Sequence, residues 1–164
     1  MNIFMLDYNP IIAAQMHCDK HVVKMILESA QMLSTAHRVL DGDDYADSNK
    51  LYRATHKNHP SNVWVRKSLH NYLWLHELFV QLLLEYENRY NKVHACDRLV
   101  NKLSSAPENI SDCAGEPVPQ CMPDTYKVKF DTVQAYRNYY LGEKAYFAKW
   151  SKSSIPLWWK EALS

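Results

Sequence analysis

Apolar positions recur with the three-to-four-residue period of an α-helix through most of the chain, and this pattern predicts an all-α fold. Ile3 to Leu6 is a short apolar run before the first helix. Asn9-Pro10 is a helix start, with Asn as cap and Pro in the first turn, and the periodicity then predicts one long helix to Leu40. It stops at Asp41-Gly42-Asp43-Asp44. A shorter helix is predicted from Ala46 to Thr55. His59-Pro60-Ser61 opens another long helix, rich in apolar and aromatic residues, that ends near His94 or bends and continues through Leu103. Pro107, Gly115, Pro117, Pro119 and Pro123 mark an irregular loop over about 105–128. A last major helix is predicted from Asp131 to Trp150, followed by a turn at Pro156-Leu157-Trp158-Trp159. The sum is a single compact domain, 1–164, of four to six helices. Only three glycines in the chain argue against an all-β alternative, which needs many tight turns.

Placed at 100° intervals, the first helix sorts into two faces. Val22, Val23, Ile26, Leu27, Ala30 and Leu33 form a broad apolar face. His17, His21, Lys24, Glu28, Gln31 and Thr35 form a narrow polar strip opposite, with neighbours three or four residues apart that can touch. The plain reading is a solvated face with an ordinary Lys24–Glu28 pair. Against it stand two histidines in that strip and the absence of mixed charge at either end of the helix. Among functional readings, metal binding by His17 and His21 lacks the glutamate of an HExxH motif, and no cofactor is indicated. Acid–base work by Glu28 beside a histidine or an amine is the better chemical fit, as is attack by a desolvated amine.

Composition adds bounds. The chain is 47% hydrophobic and 12% aromatic, which is globular. No apolar run approaches the length of about 18 residues that spans a membrane, and the N-terminal segment lacks the basic start of a secretory signal. Cys18, Cys96, Cys113 and Cys121 fit neither a metal pair nor a dense disulfide framework, so reduced thiols in a cytoplasm-like compartment are expected. A Cys113–Cys121 bridge is the one pairing left open. The net charge of +1 is not the footprint of a nucleic-acid binder as a whole, but its distribution is uneven. Seven lysines and arginines fall between Lys127 and Lys160, whereas Asp41, Asp43, Asp44 and Asp47 cluster elsewhere.

The run Asp19-Lys20-His21-Val22-Val23-Lys24-Met25-Ile26-Leu27-Glu28, followed by Gln31, resembles the catalytic helix of the phage-type pyrimidine-dimer DNA glycosylase/AP lyases, the endonuclease V family, and of their bacterial relatives. His59-Pro60 with Trp64, Glu85-Tyr86 with Arg89, and Tyr139 to Tyr146 are similar to further patches of that family. The resemblance implies a helical fold and DNA as partner, in the host cytoplasm if the source is viral. It also implies a reaction in which an amine attacks C1′ of a damaged nucleotide, forms a Schiff base and cleaves the strand. It makes Glu28 the essential carboxylate and His21 a residue at the substrate. In the family the amine is exposed by removal of the initiator Met, usually from Thr. Here residue 2 is Asn2, which tends to leave Met in place, so the amine is either that of Met1 or Lys24.

The C-terminal third interleaves rings and cations, a combination that nucleic-acid grooves use for stacking and phosphate contact. Tyr136, Tyr140 and Phe147 have the spacing of a buried face, whereas Arg137, Tyr139, Lys144 and Lys149 are expected at the surface as DNA contacts, together with His17, Gln31 and His59. Two other readings stay open at this level: a non-catalytic nucleic-acid-binding accessory domain, and an enzyme acting on free nucleotides or modified bases.

Overall fold

The computed structural model describes residues 1–164 and contains helices, turns and extended segments but no strand. Eight α-helices follow in chain order: α1 (Pro10–Met16), α2 (Asp19–Asp41), α3 (Asp44–Ser48), α4 (Pro60–Lys67), α5 (Leu69–Tyr90), α6 (Val100–Ser104), α7 (Thr132–Tyr139) and α8 (Leu157–Leu163). A 3₁₀ segment, Ala95–Leu99, leads into α6, and a π-helical turn, Tyr140–Lys144, continues α7. The all-α expectation holds. No helix is long and apolar enough to cross a membrane.

Helix α2 is the axis of the fold. It packs most extensively on α5, and next on α4, while α1 lies against α5. One apolar cluster runs through these helices and takes in the extended N-terminal run Ile3, Phe4, Met5 and Leu6, all buried. Helix starts follow local chemistry. The Asn9 side chain accepts from the Ile11 N–H at 2.9 Å, and Ser68 and Asp131 cap α5 and α7 in the same way.

The first long helix of the sequence reading is broken. His17 and Cys18 are extended, dividing it into α1 and α2. Helix α1 therefore ends inside the protein, where its last carbonyls need partners. Each finds one. The His17 ring Nδ1 lies 2.6 Å from the Ala13 carbonyl and the His17 N–H donates to Ala14 at 3.2 Å. Arg89 donates to the carbonyls of Gln15 (3.0 Å) and His17 (2.6 Å), and Trp150 Nε1 donates to Met16 (2.9 Å). Arg89 also pairs with Asp19 (3.1 Å) and Glu85 (3.0 Å), and its side chain has no exposed surface.

Other boundaries shift too. The predicted helix at 46–55 is only the short α3, because Leu51 and Tyr52 leave the helix to satisfy Arg38, whose Nε and Nη2 reach the Tyr52 and Leu51 carbonyls. The next long helix is interrupted at Ser68, whose extended backbone starts α5 afresh. The last predicted helix ends after the π turn, and 157–163 forms a helix where a turn was expected. A Cβ at Gly142 would fall inside the Tyr126 ring, so the π turn packs against that ring through a bare backbone. All four cysteines are free thiols, so the Cys113–Cys121 bridge is not formed.

Arg89→Met removes a buried charge and leaves Asp19, Glu85 and two carbonyls without it. A loss of about 3–5 kcal/mol is expected, read as a lower midpoint in urea unfolding. A midpoint unchanged from wild type would remove Arg89 from this role.

Candidate functional site

The residues preceding α1 return across α2 and place the chain's first amine beside Glu28. The Asn2 N–H donates to Glu28 Oε1 at 3.0 Å, and the Met1 α-ammonium lies 3.4 Å from the same oxygen. Lys24 Nζ is 3.9 Å from the other oxygen, Oε2. Both amines that the sequence left open thus flank one carboxylate. They differ in setting: the Lys24 side chain is 68% exposed, whereas that of Met1 is 3% exposed. Met1 as a whole is only half-buried, so the part that solvent reaches is the main chain carrying the amine.

Asn2 is the anchor of this arrangement. Its Nδ2 donates to the Cys121 carbonyl at 3.0 Å, and its Oδ1 accepts from the Ile3 N–H (2.8 Å) and lies 2.8 Å from the Tyr136 hydroxyl. That hydroxyl also reaches the Pro119 carbonyl at 2.8 Å and accepts from the Cys121 N–H at 3.3 Å. The irregular loop is therefore a strap with fixed polar contacts, and those contacts hold the amine in place. Asp41 accepts the backbone N–H groups of Glu108 and Asn109, and Trp64 Nε1 donates to the Glu116 carbonyl, along the same strap.

The polar strip is not a solvated face. His17, His21, Glu28 and Thr35 are buried, and Gln31 is half-buried one turn beyond Glu28. The exposed side of α2 instead carries Lys20, Val23, Lys24 and Leu27, so Val23 and Leu27 are not the core residues the helical wheel makes them. The reason is tertiary. The N-terminal run and the segment from Tyr136 to Phe147 lie over the strip, a covering that no wheel of one helix contains.

His21 sits in a cage of rings, with Phe4 at 4.4 Å, Tyr140 at 5.1 Å and Phe147 at 5.6 Å between centroids. Its Nδ1 is 2.7 Å from the Tyr140 hydroxyl, which burial keeps protonated far above its ordinary range. Burial, then the charges of His17, Lys144 and Lys24, push the His21 pKa down to about 2. His17 is pushed down to about 4, mainly by burial. Its Nδ1 faces Ala13 and its Nε2 is enclosed without a partner. Both rings are enclosed by protein, His17 fully and His21 with 4% of its surface exposed. They shape the floor of the site. No group of three or more His, Cys, Asp or Glu side chains has a metal-binding arrangement.

His59 does join the site. Its Nδ1 accepts the Ser61 N–H at 3.1 Å as the cap of α4. Its pKa is lowered by burial and then by the nearby Met1 ammonium and His56, while Glu28 acts in the opposite sense. His56 lies close enough to His59 to add to that shift. Its left-handed backbone (φ 48°) is a signal that exists only in three dimensions.

Comparison with protein-family models, curated proteins and solved structures finds no match. The site thus rests on its own geometry.

Of the C-terminal contacts expected from sequence, Arg137 is engaged inside the fold: Nε donates to the Leu6 carbonyl at 2.9 Å, and the guanidinium lies over Trp158. Tyr139 is half-buried, stacked on Phe4 and beneath Lys144 Nζ at 4.7 Å from its ring, while Lys149 is exposed. Tyr136 and Tyr140 are core, as their spacing predicts, whereas Phe147 is half-exposed against His21. The open rings in this region are Phe130 and Tyr146.

The two depressed histidines predict a pH dependence of stability. In the unfolded chain each takes a proton as pH falls below 6.5; in the folded protein His17 refuses it until about 4 and His21 until about 2. Unfolding therefore takes up protons, and their contribution is full above pH 6.5 and declines below it. The slope is about 1.4 kcal/mol per pH unit for each ring between pH 6 and 4.5. Urea midpoints at a series of pH values measure it, and His21→Gln lowers the slope by one proton. An identical slope in that variant contradicts the assignment.

Proposed function

We propose that the protein is a DNA-processing enzyme of the pyrimidine-dimer glycosylase/AP-lyase type, with the Met1 α-amine as nucleophile and Glu28 as its partner. The observation that carries this reading is the approach of the α-amine to within 3.4 Å of a carboxylate 27 positions away, its main chain open to solvent. Amine chemistry needs such a pair. The nitrogen must shed a proton before its lone pair can add to carbon, and a fixed carboxylate at hydrogen-bond reach can receive it.

In the proposed reaction the amine nitrogen forms a bond to C1′ while the bond from C1′ to the base breaks, and the departing base takes a proton. The sugar ring opens at O4′, which is protonated, leaving an imine between the amine and C1′. Loss of a proton from C2′ then expels the 3′ phosphate by β-elimination, cutting the strand. Glu28 serves twice, receiving the proton of the amine and stabilising the positive charge that builds at C1′ and on the imine nitrogen. Its orientation is set beforehand by the Asn2 N–H on Oε1. Lys24, beside Oε2 and exposed, is suited to a phosphate of the strand. Lys144 and Lys149 extend the cationic rim, and His59, held by Ser61, faces the amine from α4.

The resemblance selects Glu28 from a pattern of side chains along a helix and expects an N-terminal amine at the site. The geometry supports that pairing, because the first amine is tied beside Glu28 through Asn2.

Incubation with ultraviolet-irradiated duplex and borohydride is expected to trap a covalent adduct. Glu28→Gln lowers trapping at least about 100-fold, the scale lost when one stabilising group in a site is removed. One residue added ahead of Met1 abolishes it by moving the amine, whereas Lys24→Met retains it within a few-fold. Trapping lost in Lys24→Met but kept in the extended chain would transfer the role to Lys24. No adduct with wild type, with duplex binding that Glu28→Gln leaves unchanged, would favour a non-catalytic nucleic-acid-binding domain instead.

A further inference from the structure

A cavity of about 490 Å³ lies on the far side of the segment that carries His56 and His59. Arg38 of α2, Asp43, Lys57 and Asn58 of the loops, and Arg66 of α4 form its polar walls. The three cations are not alike. Arg38 is fully engaged: Nη1 is 2.8 Å from both Asp43 and Asp47, and Nε and Nη2 donate to the carbonyls of Tyr52 and Leu51. The one carboxylate on the wall, Asp43, shares Arg38 with Asp47, so this side of the cavity keeps one uncompensated negative charge, and the free cations are on the opposite wall. Arg66 is the opposite case. It is half-buried, its Nη1 is sealed from solvent with no hydrogen-bond partner, and no carboxylate lies within ion-pair distance of it. Burial lowers its pKa with nothing acting against it.

An enclosed guanidinium nitrogen without a partner is costly, because burial removes its water and gives no bond in return. Nη1 itself is closed in this conformation, but Arg66 lines the cavity as a cation with no carboxylate beside it, and an anion entering the cavity supplies the missing countercharge. A planar fork of donors with a second cation beside it suits a tetrahedral oxyanion. We propose that this cavity binds a phosphate group, with Arg66 as its forked ligand and Lys57 and Asn58 as the flanking donors.

The loop is built to hold that position. Thr55 N–H donates to Thr35 Oγ1 of α2 at 3.2 Å, and Asn62 Nδ2 donates to the carbonyls of Thr55 (3.2 Å) and His56 (3.0 Å). Glu28, beside the amine, and Arg38, on the cavity wall, are separated along α2 by an axial rise of about 15 Å at 1.5 Å per residue. That separation corresponds to about four nucleotide steps at 3.4 Å of axial rise per strand. A phosphate on a bound strand, some nucleotides from the reacting sugar, is one source of the group; the phosphate of a free nucleotide is the other. Only the first of these rests on the glycosylase/lyase reading.

Thermal unfolding in inorganic phosphate and in thymidine monophosphate, and duplex binding over a range of salt, test the assignment with wild type, Arg66→Met and Arg66→Lys. Phosphate is expected to raise the melting temperature of wild type, as any ligand of the folded state does, and not that of Arg66→Met. Without ligand Arg66→Met melts no lower than wild type, because the guanidinium has no hydrogen bond or ion pair to lose and methionine keeps most of the packed stem. With undamaged duplex, Arg66→Met binds roughly tenfold more weakly and flattens the salt dependence by about one phosphate, and Arg66→Lys falls between. A duplex effect assigns the phosphate to a strand; an effect confined to the monophosphate assigns it to a free nucleotide. The proposal is overturned if no phosphate ligand distinguishes Arg66→Met from wild type, or if Arg66→Met is destabilised as a lost structural contact would make it. None of these readouts uses the borohydride adduct, so a protein without lyase activity can still pass or fail them.

Discussion

The joint between α1 and α2, closed by Arg89, is the constraint on which the rest of the structure depends. A helix end buried in a protein is unstable unless its carbonyls are satisfied, and here five of them are met by side chains and main chain from three regions. Arg89 alone reaches two of those carbonyls and two carboxylates. The break it stabilises lets α2 leave at its own angle and rotation, no longer in register with α1. His21 and Glu28 then lie against the N-terminal run, through Phe4 and through Asn2 and Met1. Asp19, at the first turn of α2, binds Arg89 and also accepts the Ser151 N–H and hydroxyl, so the same joint draws the C-terminal segment across the strip.

Once the strip is covered, its polar residues must be either neutral or paired. His17 and His21 take the first course, held uncharged by burial. Glu28 takes the second and is met by the backbone N–H of Asn2, the Met1 ammonium and, at longer range, Lys24. A carboxylate in that position is costly without its cations, and an N-terminal run without Asn2 has little to hold its amine there. Stability and chemistry therefore share one set of contacts. The anchor on the other side is the strap, whose Pro119 and Cys121 backbone groups fix Asn2 through Tyr136. A segment without regular structure is as important to the site as the helix that carries Glu28.

Much of this was legible in the sequence, and what was not has a common cause. Helical periodicity identified the all-α class, the Asn9-Pro10 and His59-Pro60 starts, the stop at Gly42 and the irregular loop, because those are written in neighbouring residues. The break at His17-Cys18 has no glycine or proline to announce it. It comes from Arg89 and Trp150, remote in sequence, and so one helix was expected where there are two. The wheel grouped Glu28 with the histidines, and they do lie on one face, but it placed Val23 and Leu27 inside because it cannot know that two other segments cover the polar strip. The rings that enclose His21, those of Phe4, Tyr140 and Phe147, come from both ends of the chain and leave no mark in the sequence around it. Arg137 looked like a surface cation and is tied to Leu6 and Trp158. His56 and Arg66 carried no pattern at all. What marks them is a backbone dihedral and an unpartnered nitrogen, both properties of the folded chain.

The same distinction bears on the near-neutral net charge, which weighed against nucleic acid. A sum over the chain counts each charge once, whatever it faces. The acidic cluster after α2 is largely turned to internal work: Asp43 and Asp47 hold Arg38, and Asp41 accepts the strap's backbone at Glu108 and Asn109. Around Glu28 the balance is different, with Lys24 beside the carboxylate and Lys24 and Lys144 both close enough to His21 to disfavour its protonation. Lys57, in the loop just after His56, and Arg66, on α4, line one further cavity. Attraction of a polyanion depends on the local potential and is screened beyond about 10 Å at 0.1 M salt, so distant acids matter little to it. A small net charge over the chain therefore says little about any one region: Lys24 and Lys144 gather near Glu28, whereas Asp43 and Asp47 outnumber the single Arg38 that they share.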